Sequence, residues 1–258
     1  WMHACGHDGH TAMGLVTAAV LNRMKDQFSG KIKIIFQLGE EGIKGGQSMT
    51  ESGVLDDVDA LLSVHLGSGT KENTPGLVGS KVGLYASTKF DVTITGKASH
   101  AGALPERGHN AILASCMAIQ AMYGFLQDGR GQTRLNIGTI EGGSGRNVIP
   151  EKCFFRAETR GASTEIESRL NKAAVGCIEA ACKAHGCEYE IEIMGYAPTG
   201  DGDLVLAQKA IDAAKVVPEF KEFLLTENCT GATDDFAYMI KYMQDRGKLA
   251  TYMGLNAV

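Results

Sequence analysis

ALLSVH at residues 60–65 and TKFDVTIT at residues 88–95 are two strand-like runs of different kinds. The first is almost wholly apolar and ends in a histidine, the pattern of a strand buried on both faces. The second alternates polar and apolar residues, as a half-exposed antiparallel strand does. Outward from the first, residues 8–26 carry apolar side chains at Met13, Val16, Ala19, Val20 and Met24, a helical spacing that Asp8 is placed to cap. Gly30 ends that helix. KIKIIFQL at 31–38 reads as a second buried strand, followed by a glycine-rich loop over 39–46 and a short helix near 47–52. Alternating helix and apolar strand predicts a mostly parallel sheet covered by helices.

Outward from the second run, residues 109–126 read as a helix, 134–140 and 152–159 as strands, and 164–185 as a long amphipathic helix that Gly186 stops. CEYEIEIM at 187–194 alternates again. The order β-α-β-β-α-β is the ferredoxin-like arrangement. After Pro198 the earlier style returns, with helices over 203–215 and 234–245, a possible strand at 222–226 and a strand at 250–254. The expected fold class is therefore α/β: an αβα domain with a mostly parallel, incomplete sheet, formed by residues 1–83 and 198–258, interrupted by a ferredoxin-like α+β domain over 84–197.

The 258 residues are 44% hydrophobic and 21% charged, with a net charge of -5, an ordinary composition for a globular chain. No basic stripe points to nucleic acid, and no apolar run approaches the ~18 residues of a membrane span. Seven cysteines, an odd number in mostly apolar surroundings, predict reduced thiols and a cytoplasmic protein. The chain opens on Trp-Met-His-Ala-Cys-Gly-His, already a motif and without an initiator methionine, so we expect a fragment of a longer polypeptide.

Chemistry concentrates in four places. HACGHDGH at 3–10 sets Cys5 and His7 on either side of a glycine at the mouth of a helix; a thiolate and an imidazole so spaced can reach one metal, and the helix terminus favours the thiolate. Glu40–Glu41 follow the 31–38 run. Two adjacent carboxylates are either a solvated loop or a working pair at a strand end, where one binds metal and its neighbour acts as general base. His65 ends ALLSVH in the same manner. Farther on, His100 in KASHAG, Asn147 in GRNVIP and Arg160 after the 152–159 run are either loop polar residues or parts of a binding site.

Taken in order, CGHDGH, EEG, a strand ending in His, ASHAG and NVIP resemble the aminoacylase and carboxypeptidase-G-like metallopeptidases. The resemblance is to their cysteine-containing amidohydrolase branch, which includes hippurate, auxin-conjugate and aminobenzoyl-glutamate hydrolases, and TGATDDFAYM at 230–239 is similar to the stretch near the end of their catalytic domain. It implies a catalytic domain with two divalent metal ions, zinc or manganese, and a lid domain through which the chain forms a homodimer. It implies Cys5, His7, Glu41 and His65 as metal ligands, Glu40 as general base, His100 as the lid histidine that reaches the partner subunit's site and steadies the oxyanion, and Asn147 and Arg160 as residues gripping the substrate carboxylate or carbonyl. The implied substrate is a small N-acyl amino acid. The family's segment before CGHDGH and its last ligand histidine have no counterpart here, so the chain alone is expected to be inactive or weakly active. A dipeptidase or aminopeptidase of the wider family, and a metal-holding or dimerisation module, are the competing readings.

Overall fold

A computed structural model describes residues 2–67, 74–125, 127–225 and 231–256. The chain divides into two compact units, residues 1–84 with 200–258, and residues 85–199.

The first unit contains α1 (His7–Arg23), α2 (Gly45–Glu51), β1 (Ala60–Leu66) and β2 (Leu77–Gly79) from its first segment. Its second segment supplies α5 (Leu204–Ala214), β9 (Glu222–Leu224), α6 (Phe236–Gln244) and β10 (Leu249–Leu255). The strands form one sheet in the order β1-β10-β2-β9, with β1–β10 and β2–β9 parallel and β10–β2 antiparallel. β10 is buried on both faces. Ala250 and Tyr252 pack with the α6 stripe Phe236, Met239, Ile240 and Met243, whereas Met253 packs with Ile211 of α5. That stripe has the i, i+3, i+4, i+7 spacing of a helix with one apolar face.

Three expectations change. The helix predicted over 8–26 runs from His7 to Arg23, and its N-cap is Gly6, at φ +75°, rather than Asp8, which sits in the first turn. Residues 31–38 are not a strand. No described strand pairs with them, and a cavity of about 1660 Å³ is lined jointly by this segment, α1 and β1. An apolar run becomes a strand only where a neighbour takes its N–H and C=O groups. The strand predicted over 222–226 ends at Leu224, and Thr226 lies outside the described residues, as does Cys229. The short β2 has no counterpart among the predicted strands.

The second unit contains β3 (Ala86–Thr95), β4 (Ser99–His100), α3 (Ala111–Tyr123), β5 (Thr133–Gly142), β6 (Val148–Ile149), β7 (Lys152–Gly161), α4 (Thr164–His185) and β8 (Glu188–Ala197). Its antiparallel sheet has the order β5-β7-β3-β8, the ferredoxin-like arrangement, and β4 pairs with β6 in a separate ribbon. Phe90, Val92, Ile94 and Phe155 face Ala114 and Ala118 of α3 and Ala174, Ile178 and Cys182 of α4. The small residues of α3 let the two helices lie close together over the sheet. The Asn110 side chain caps α3 by accepting from Leu113 N–H, and Ser163 caps α4 through Ile166 N–H. The helix predicted over 109–126 is shorter than expected, and Leu126 is outside the described residues. Among the described residues no helix is long and apolar enough to cross a membrane.

Candidate metal centre

Gly6 brings the 3–10 motif into α1 through a left-handed turn that a side chain would strain, and a Cβ there would press on Leu66 at the end of β1. The start of α1 is thus seated against the end of β1. Two hydrogen bonds organise that junction. His10 Nε2 accepts from Leu66 N–H at 2.8 Å, and His65 Nδ1 lies 2.6 Å from the Leu66 carbonyl oxygen. A carbonyl can only accept, so His65 carries its proton on Nδ1 and leaves the Nε2 lone pair facing Cys5 Sγ, 3.5 Å away. This is the state in which an imidazole ligates a metal. His10 is held neutral: burial first, then His65 and His7, bring its pKa down to about 4. Its Nε2 is already in use, so it serves the junction.

Cys5, His7 and His65 place their ligating atoms within 4.8 Å of one another, and so do His7, Glu40 and Glu41. His7 joins the two groups, with Nε2 3.6 Å from Glu40 Oε2 and 3.9 Å from Glu41 Oε1. A thiol, two imidazoles and two carboxylates from three separate stretches therefore converge on one edge of the first unit. That donor set suits borderline divalent cations. The Cys5 thiol departs from expectation. Burial, followed by the negative charges of Glu41, Glu40 and Asp234, raises its pKa, and this field outweighs the helix terminus. A cation among these carboxylates would reverse that sign.

Two site residues escaped the sequence reading. Glu40, Asp234 and Asp235 form a third group of converging carboxylates. Asp234 is buried, accepting from Phe236 N–H and, at 2.8 Å, from the Tyr252 hydroxyl. Burial raises the Asp235 carboxyl pKa, with the charge of Asp234 adding to it and N–H donors opposing it. Two adjacent acids just before an apolar helical run carry the same signal as Glu40–Glu41, and that signal could have found them.

The remaining predicted site residues lie in the second unit. His100 is exposed at the end of β4, where its Nδ1 accepts from the N–H groups of Gly102 (3.2 Å) and Ala103 (3.0 Å). That leaves Nε2 as the nitrogen free to donate. Asn147 is its neighbour, since Ala101 N–H donates to the Asn147 carbonyl and β4 pairs with β6. Arg160 stands apart on β7. Glu158 grips its guanidinium through both carboxylate oxygens, at 2.7 and 3.0 Å.

Comparison with known proteins places these features in a family. The chain is 39% identical over 253 residues to one of the subunits of the p-aminobenzoyl-glutamate hydrolase of Escherichia coli, and 36% identical over 252 residues to indole-3-acetyl-aspartic acid hydrolase of Enterobacter agglomerans. Each alignment covers 98% of this chain and 57% of the relative, so the chain spans little more than half the length of these proteins. The crystal structure of an aminobenzoyl-glutamate utilization protein from Klebsiella pneumoniae superposes with a TM-score of 0.83 at 34% identity, covering 95% of this chain and 62% of that one. Residues 1–257 match the peptidase family M20/M25/M40, and the chain belongs to that family.

Proposed function

We propose that the protein containing this chain is a metal-dependent amidohydrolase that cleaves the amide bond of N-acyl or N-aroyl amino acids, with aminobenzoyl-glutamate-like conjugates as its substrate class. The observation that carries this reading is the convergence of Cys5, His7 and His65 with the acid pair Glu40–Glu41. Two relatives above 35% identity are named as hydrolases of an acylated glutamate and an acylated aspartate, and both conjugates have this amide.

Cys5, His7, Glu41 and His65 would hold two divalent ions, zinc or manganese. When bound, such ions supply a water acidified toward neutrality and an electrophile for the carbonyl oxygen. Glu40, beside His7, takes the proton of the attacking water and returns it to the leaving nitrogen. In the dimer, His100 reaches the partner subunit's site and donates from Nε2 to the carbonyl oxygen there as it gains charge, a contribution worth ~10²–10³ in rate for one such donor. Asn147 and Arg160 orient the substrate, and Arg160 meets a substrate carboxylate by exchanging it for Glu158. The same reading makes the protein a cytoplasmic homodimer joined through residues 84–197. The six described cysteines are all free thiols, and α3 exposes Leu113 and Met117 beside the edge strand β5.

The test is Glu40→Gln in the intact protein, assayed on p-aminobenzoyl-glutamate. Metal content stays at the wild-type level and turnover falls by at least ~10². Turnover retained at the wild-type rate overturns the assignment of the base.

A further inference from the structure

We infer that Asp235 is a positioning residue: its buried carboxylate closes the turn that carries Glu40 and Glu41 and thereby sets the acid pair against His7. The inference rests on the role proposed for Glu40 in turnover, while the clasp itself rests on geometry alone.

Asp235 has no exposed surface. One oxygen accepts from Gly46 N–H at 2.8 Å, and the other from the Gln37 side-chain amide. Gly45 lies against the same carboxylate, where a Cβ would stand 3.4 Å from Asp235 Oδ2. Gln37 precedes the acid pair and Gly45–Gly46 follow it, so a single carboxylate ties together both ends of the 38–45 turn. The approach is backbone to backbone. A Cβ on Gly46 would lie 2.6 Å from the Asp235 carbonyl carbon, and one on Gly45 would lie 2.7 Å from the Leu38 carbonyl carbon. The turn does not hold its shape from local preference. Ile43, just past the Glu40–Gly42 turn, sits at φ 53° and ψ 43°, a left-handed conformation that a β-branched residue adopts only under strain. Such strain persists where the surroundings over-determine it, and Asp235 supplies that constraint from the N-cap of α6, nearly two hundred residues away in sequence.

The test compares Asp235→Ala with Asp235→Asn in the intact protein. Asparagine can still accept from Gly46 N–H through Oδ1 and give its own N–H to Gln37 once that amide turns over, so it should rescue the clasp. Hydrogen exchange over residues 38–46 is expected to speed up ~10-fold or more in Asp235→Ala, to stay near the wild-type rate in Asp235→Asn, and to leave residues 85–199 unchanged. With p-aminobenzoyl-glutamate, Asp235→Ala is expected to lose ~10² in kcat at unchanged KM. It should lose nothing further when combined with Glu40→Gln. Unchanged exchange over 38–46 in Asp235→Ala overturns the clasp, as does acceleration spread evenly over residues 1–84. If instead Glu40→Gln retains turnover, the assignment of the base fails, and the exchange result still judges the clasp.

Discussion

Replacing Gly46 by alanine separates ordinary helix energetics from the demands of this site. Gly46 lies in the first turn of α2, and on propensity alone Gly→Ala in a helix gains about 1 kcal/mol. Here the new Cβ meets backbone, 2.6 Å from the Asp235 carbonyl carbon and 3.2 Å from its Cγ, where carbon contacts normally begin near 3.5 Å. Neither α2 nor the start of α6 can yield by rotating a side chain, so one must move by about 1 Å. Overpacking of this kind costs about 1–3 kcal/mol. The same displacement lengthens the Gly46 N–H bond to the Asp235 carboxylate, and hydrogen bonds to charged groups contribute about 1.5–3 kcal/mol. The net expectation is a loss of about 2–4 kcal/mol in the first unit, a fall of roughly 5–15 °C in its melting temperature. Chemical unfolding of the intact protein should show the shift in the transition of the first unit, with that of residues 85–199 unmoved. A Gly46→Ala protein as stable as wild type, or more so, would refute the close backbone approach on which the site geometry depends.

His10→Ala leaves the Leu66 N–H without its acceptor, a loss of about 1–3 kcal/mol, and frees the end of β1 that carries His65. Affinity for zinc, measured by competition with a chelator, should fall about tenfold or more, and an unchanged affinity would show that the junction does not position His65. Glu167, buried in the second unit, has its pKa raised by burial, against the hydroxyl bonds of Thr159 and Thr88. A carboxyl with a raised folded pKa stabilises the fold fully below its unfolded pKa, and that contribution is lost as pH rises through the folded value. The stability of wild type relative to Glu167→Gln should therefore decline from mildly acid to neutral pH, and parallel unfolding curves across that range would contradict the shift.

The legible parts of the chain were those in which local chemistry and tertiary role coincide. His65 could be placed because ALLSVH pairs in parallel with β10 and a strand end is where sites form. The order of the second unit could be read because each strand alternates and each helix has its own caps, so period and punctuation agree. Residues 31–38 misled because an apolar, β-branched run records a preference to be buried without saying whether a partner strand lies alongside. β2 was invisible because three residues carry no period, and its pairing is set by β10 and β9. Asp235 is legible as one of an acid pair, but its part is not, because that part is long-range: the donors it closes on are Gln37 and Gly46, and nothing near it in sequence marks them. The Cys5 thiol was misjudged because the helix terminus is visible in the sequence, whereas the burial that outweighs it, and the three carboxylates that add to that burial, arise only on folding.

The metal content of the intact protein tests the central claim most directly. After loading with zinc or manganese and exhaustive dialysis, elemental analysis should find two divalent ions per chain in wild type, and fewer when His65 is replaced by alanine. Wild type retaining none, or His65→Ala retaining as many as wild type, would contradict the assignment of this cluster as the metal centre.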